Sequence, residues 1–273
     1  MLELYDPTAL ANISLKPKSN QYMAPNVVDA NSKYYKAELA YLAMLFSQED
    51  CHIDNWIVGN EVNMPMSWYF TGSSDPVYNT NLYAVEYLNV YNAVRKYTSK
   101  SRVSFCFDHS WQHNDEGRGI AVKDYLNLLV QRINENQPNV DWTISYHMYP
   151  AYLPEAAVWA HTPFEGVCGR DLNPRHSGAE FVDGYNLFVM TNYIRDTYGS
   201  DHKIMCTEQG FSQYMGETTQ AAALACRWTT SSRSSATFSA DSVSADSAVH
   251  MVVAVVAVAC SVVATCVCVC AST

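Results

Sequence analysis

Basic residues are scarce: 17 Lys and Arg stand against 27 Asp and Glu, for a formal charge of -10 at pH 7. A protein that grips nucleic acid needs a cationic face to neutralise phosphates, so nucleic acid is not an expected partner. No Gly-rich phosphate loop follows any strand-like run, which leaves a dinucleotide-binding sheet without support. The N-terminal "MLELYDPTALANISLKPK" lacks a basic segment followed by an unbroken apolar one, so it does not read as a secretory signal. Cys51, Cys106, Cys168, Cys206 and Cys226 lack metal-ligand spacing and read as buried or free thiols. No cofactor is expected.

What the chain does have is apolar and aromatic surface to bury. Its 273 residues are 48% hydrophobic with 19 Tyr, enough for one large acidic domain or a part of one. Soon after Trp228 the composition changes as if at a border: aromatics, glycine and proline almost vanish. The chain therefore divides into a domain over 1–228 and a low-complexity tail over 229–273. Met251 to Cys270 has the length and apolarity of a membrane-spanning helix, but no Lys, Arg, Trp or Tyr flanks it closely. "CVCVC" is also what an alternating GT repeat encodes. The tail reads as out-of-frame translation fused to a truncated domain in preference to an anchor, and a membrane is a partner only if the 251–270 stretch is genuine.

Upstream, apolar residues recur at three and four in "YYKAELAYLAMLFSQ", "LYAVEYLNVYNAVRKY", "IAVKDYLNLLVQRINEN" and "GYNLFVMTNYIRDTYG". Each of these helices leads into a short run rich in β-branched or aromatic residues: "WIVGNEV", "RVSFCFDHSW", "VDWTISYHMYP" and "KIMCTEQGFS". Alternating helix and strand predicts an α/β fold with a mainly parallel sheet. Each strand-like run also ends in polar, chemically capable side chains: Asn60 and Glu61, then Asp108, His109 and Trp111, then His147 and Tyr149, then Glu208 and Gln209. A (β/α)₈ TIM barrel gathers its active site from the C-terminal ends of several strands, whereas a doubly wound sheet concentrates it at one switch point. The pattern favours the barrel.

"GNEVN" at one strand end, "YHMYP" two strands later and "TEQGF" on the next resemble glycoside hydrolase clan A, the retaining (β/α)₈ glycosidases. Taken together with "QAAALA", they are most similar to a family of uncharacterised bacterial glycosidase-like proteins, over roughly Tyr34 to Arg227. The resemblance implies that Glu61 is the general acid/base and Glu208 the nucleophile, on an oligo- or polysaccharide. Asn60 would donate to the sugar 2-hydroxyl. His147 and Tyr149 alternate on one strand face, so either could hold Glu208. Asp108, His109 and Trp111 would line the site, with Trp68 and Trp111 as stacking platforms. Export or a periplasmic setting is implied as well, although the visible N-terminus carries no signal.

Two carboxyl groups about 5 to 5.5 Å apart are what retention needs, one to protonate the leaving oxygen and one to attack the anomeric carbon. The charge on Glu208 is expected to hold a proton on Glu61. Two other readings stay open. Asp108, His109, His113, His147 and Glu208 include ligand types for a metal-dependent barrel hydrolase. Counting strands gives an incomplete barrel, with about strands 3–7 present and the first ones expected upstream of Met1. A truncated, inactive carbohydrate-binding relative is thus the other alternative. Sugar specificity would lie in loops such as "HTPFEGVCGRDLNPRHSGAEF".

Overall fold

A computed structural model describes residues 29–115, 117–149, 178–184 and 186–209, together with two strands in the tail. Residues 1–28 and most of the 161–181 loop lie outside the described residues. Helix α1 (Lys33–Leu45) starts at Ser32, whose hydroxyl accepts from the Tyr34 N–H. A short antiparallel hairpin, β1 (Ser47–Gln48) and β2 (Cys51–His52), leads into β3 (Asn55–Val58). Then follow α2 (Pro76–Arg95), β4 (Arg102–Phe107), α3 (Val122–Asn136), β5 (Thr143–His147), α4 (Leu187–Tyr198) and β6 (Ile204–Glu208).

Local chemistry sets these boundaries. Asp75 accepts from the Val77 and Tyr78 N–H groups while Pro76 takes the first helical position, where a missing N–H costs nothing, so α2 starts there. On α3 the buried positions Val122, Tyr125, Leu126, Leu129, Val130 and Ile133 recur at three and four, and the other face is left to solvent. Strand β3 stops at Val58, short of the expected end at Asn60 and Glu61, because Gly59 at φ 75° and Glu61 at φ 43° leave the extended region.

The sheet order is β6-β5-β4-β3, all parallel, and it continues through β8 (Val262–Cys266) and β7 (Ala254–Ala257), both antiparallel. The parallel part follows from the crossovers: each strand pairs with the next in sequence through an intervening helix or a long connection. The tail strands β7 and β8 extend the sheet at the free edge of β3, where backbone groups need a partner. Among the described residues no helix is long and apolar enough to cross a membrane. The described parts of the 251–270 stretch are strands, not a spanning helix.

The two faces of this sheet differ. Toward the helices, Phe105 packs 4.5 Å from Tyr87 and 5.3 Å from Trp142, and Phe107 packs 5.9 Å from Tyr125. Tyr83 and Tyr87 bury their rings and donate their hydroxyls to the Val58 and Val103 carbonyls at 2.7 and 2.9 Å, pinning α2 onto β3 and β4. The opposite face carries small polar groups. Ser104 bonds Thr143 at 2.7 Å, Ser145 bonds Thr207 at 2.6 Å, and the Cys106 sulfur lies 3.3 Å from His147 Nε2.

Candidate active site

Four C-terminal strand ends meet on the polar face. The chain turns out of β3 at Gly59, where an added Cβ would stand 2.7 Å from a Val62 methyl carbon, so both the positive φ and the close packing call for glycine. Two residues on, Glu61 occupies the left-handed region at φ 43°, a conformation that disfavours any side chain other than Asn, Asp or Gly. Its neighbours hold it there. The Val62 N–H donates to the Cys106 carbonyl at 2.9 Å, and the Asn63 amide donates to Asp108 at 2.7 Å and to the Ile120 carbonyl at 3.0 Å. Strain that the surroundings over-determine is typical of functional positions.

His147 ends β5 and turns its ring between the two carboxylates. Its Nδ1 lies 2.9 Å from Glu61 Oε1 and 3.5 Å from Glu208 Oε2. A β-bulge makes the second contact possible. Tyr146 pairs with Cys206 but His147 pairs with Glu208, so Thr207 is the extra residue and Glu208 is brought opposite His147. Tyr149 donates its hydroxyl to Glu208 Oε1. Glu61, His147 and Glu208 each present a ligand atom within 4.8 Å of the others, a set that could also hold a divalent cation.

The two acids differ in environment. The Glu61 side chain is 10% exposed, whereas the Glu208 side chain is about half exposed, 48%. Burial raises the Glu61 carboxyl above its ordinary range; His147 pulls it back, while Asp108 and then Glu208 add to the rise. Burial, not the charge of Glu208, is thus the leading cause. Burial would strip the proton from His147, yet Cys106, Glu61 and Glu208 outweigh it and push the imidazole up to about 11. Burial also holds the Tyr149 hydroxyl proton on above its usual value, and the carboxylate of Glu208 reinforces this.

Residues 4–237 match the family described as Family of unknown function (DUF5722). The chain belongs to that family. No curated protein matches it. The DUF5722 match contains Glu61, His147, Tyr149 and Glu208, runs past the compositional border at Trp228, and ends before β7.

Other residues singled out in the sequence fall in different places. Trp111 is fully buried and packs edge-on, 5.4 Å from Tyr193; it is a core residue, since a stacking platform needs an open face. Asp108 is also turned inward. Its carboxylate accepts from Asn63, the Ser110 N–H and the Ser110 hydroxyl, so it ties the loops after β3 and β4 together. Asp108 does not join the ligand set of Glu61, His147 and Glu208, and His113 points to Glu180 at 3.8 Å. His109 is half-buried beside Phe181 and Tyr149, with its Nδ1 buried and without a hydrogen-bond partner. Trp68 is 44% exposed and keeps an open face, and Asn60 is half-buried next to Glu61. Asn63 and Ser110 are unmarked in the sequence, and Cys106 reads there only as a buried or free thiol; strict alternation along β4 and β5, which puts Cys106 and His147 on one face, is the signal that could have tied it to the site.

Proposed function

We propose that this protein is a retaining glycoside hydrolase of (β/α)₈ type, in which β3, β4, β5 and β6 are consecutive barrel strands, acting on an oligo- or polysaccharide. The observation that carries this reading is the convergence of Glu61 and Glu208, with ligand atoms within 4.8 Å, at the C-terminal ends of parallel strands. Retention requires about 5 to 5.5 Å between the two carboxyl groups and inversion about 6.5 Å or more; one oxygen of each acid within 4.8 Å of the other leaves little room for the water that inversion needs, which supports retention.

The chemistry follows from the environments. Glu208, exposed and oriented by the Tyr149 hydroxyl, attacks the anomeric carbon as the bond to the leaving oxygen breaks. Glu61 gives that oxygen a proton, which its burial helps it to keep. The covalent ester removes the charge of Glu208 from the site. Water then attacks the anomeric carbon, Glu61 takes the proton from that water, and the Glu208 carboxylate leaves. Asn60 stands beside Glu61, as a donor to the sugar 2-hydroxyl would, and Trp68 has the exposed ring that sugar stacking needs.

A panel of activated aryl glycosides tests the reading. Hydrolysis by the protein, abolished in Glu208→Ala and slowed in Glu61→Ala most for poor leaving groups, is the expected result. The ligand set of Glu61, His147 and Glu208 supports a second reading, a metal-dependent hydrolase. Loss of turnover with a chelator and its return with zinc or manganese would replace the carboxylate mechanism with that one.

A further inference from the structure

We propose that Cys106 is a positioning residue that locks the His147 ring so that Nδ1, and not a ring carbon, faces Glu61 and Glu208. The inference concerns the site proposed above, but the geometry of the ring stands apart from the reaction assigned to it.

An imidazole on a strand end can turn about its last side-chain bond, and a turn of half a circle exchanges Nδ1 for a carbon. The Glu61 and Glu208 carboxylates oppose such a turn from one side, because it would replace the Nδ1 contacts at 2.9 and 3.5 Å with a ring carbon. The far side of the ring supplies the second hold, so that both ring nitrogens are engaged in one orientation only. There Nε2 lies 3.3 Å from the Cys106 sulfur, with Cys106 1% and His147 3% exposed, so no water competes for that contact. The sulfur is itself held: Cys106 pairs with Ser145 across β4 and β5, and the Ser145 hydroxyl donates to it at 3.9 Å. Ser145 is anchored in turn by its 2.6 Å bond to Thr207, the bulge residue beside Glu208. Cys106, Ser145 and Thr207 thus form one chain of contacts that ends on His147 at one end and on the residue before Glu208 at the other. A second-layer partner on the far ring nitrogen is the usual way a protein fixes a histidine's orientation.

The test is a nitrogen-proton correlation spectrum of the full chain labelled in histidine, with the His147 signals identified by their loss in His147→Gln. The wild-type protein is expected to show an Nδ1 proton that exchanges slowly with water. Cys106→Ser, which keeps a polar partner for Nε2, should retain it. Cys106→Ala should lose it to exchange, with a shift at Nε2, while the unfolding midpoint confirms a folded sample. Should Cys106→Ala fail to fold, Cys106→Val, closer in volume, supplies the same reading. An Nδ1 proton unchanged in the Ala or Val variant overturns the proposal, whether or not any glycoside is hydrolysed. A spectrum that responds as expected in a protein that hydrolyses none upholds it and removes the glycosidase reading instead.

Discussion

The two faces of the parallel sheet are built from alternate residues of the same strands, yet they do opposite work. On β4, Val103, Phe105 and Phe107 alternate with Ser104 and Cys106. The first set packs against tyrosines and tryptophan under the helices, and the second bonds to Thr143, Ser145 and His147. The aromatic face buries area and contributes stability. The polar face buries little apolar area and ends in a strained backbone at Glu61 and a buried ion-bearing cluster, features that cost stability and persist only where something else requires them. One strand thus separates what folds the protein from what the site needs, and substitutions on the two faces should separate in the same way.

The largest effect should fall on the polar face and touch activity alone. Glu208→Ala is expected to lower hydrolysis of a responsive aryl glycoside by about 10⁴-fold or more, the scale on which enzymes lose a nucleophile, with an unchanged unfolding midpoint. Phe105→Ala on the other face should do the reverse, costing about 3–5 kcal/mol in denaturant unfolding, because its buried ring touches Tyr87 and Trp142.

Glu61 sharpens the contrast, since the position sacrifices stability. Glu61→Asn suits the left-handed backbone and should raise stability by about 1 kcal/mol while removing activity. The charge can be separated from the backbone with Glu61→Gln. The Glu61 carboxyl is raised in the folded state, so the stability its proton contributes is complete below its ordinary value of 4.5 and is lost as pH rises through the folded value. Glu61→Gln should therefore stabilise at neutral pH, and that gain should vanish as pH falls below 4.5; a gain independent of pH would mean that charge plays no part. Trp68→Ala should change least, with unfolding free energy altered by no more than about 0.5 kcal/mol and a raised KM as the visible effect.

Sequence pattern alone locates much of this. Among the described residues, helical spacing and β-rich runs mark all four helices and all four parallel strands, because each element buries one periodic face. The strand ends marked Glu61, His147, Tyr149 and Glu208, which do come together. The sequence misled where tertiary context decides. Trp111 looks like a ligand platform, but nothing local indicates that Tyr193 covers it. Asp108 looks like a site acid, but its oxygens are taken by Asn63 and by Ser110, contacts that depend on how two loops meet. The bulge at Thr207 is equally hidden, since a one-residue register shift leaves no compositional mark. In the tail, a spanning helix is the reading ranked below out-of-frame translation, and the described residues there are strands: β8 pairs along the β3 edge and β7 pairs with β8.

The most direct test of the central claim follows the first sugar released from an aryl glycoside that the protein accepts, by proton NMR of its anomeric signal before mutarotation. Two carboxylates as close as Glu61 and Glu208 predict that the product first appears with the anomeric configuration of the substrate. First release of the opposite anomer, or no turnover of any glycoside in the panel by a folded sample, would contradict it.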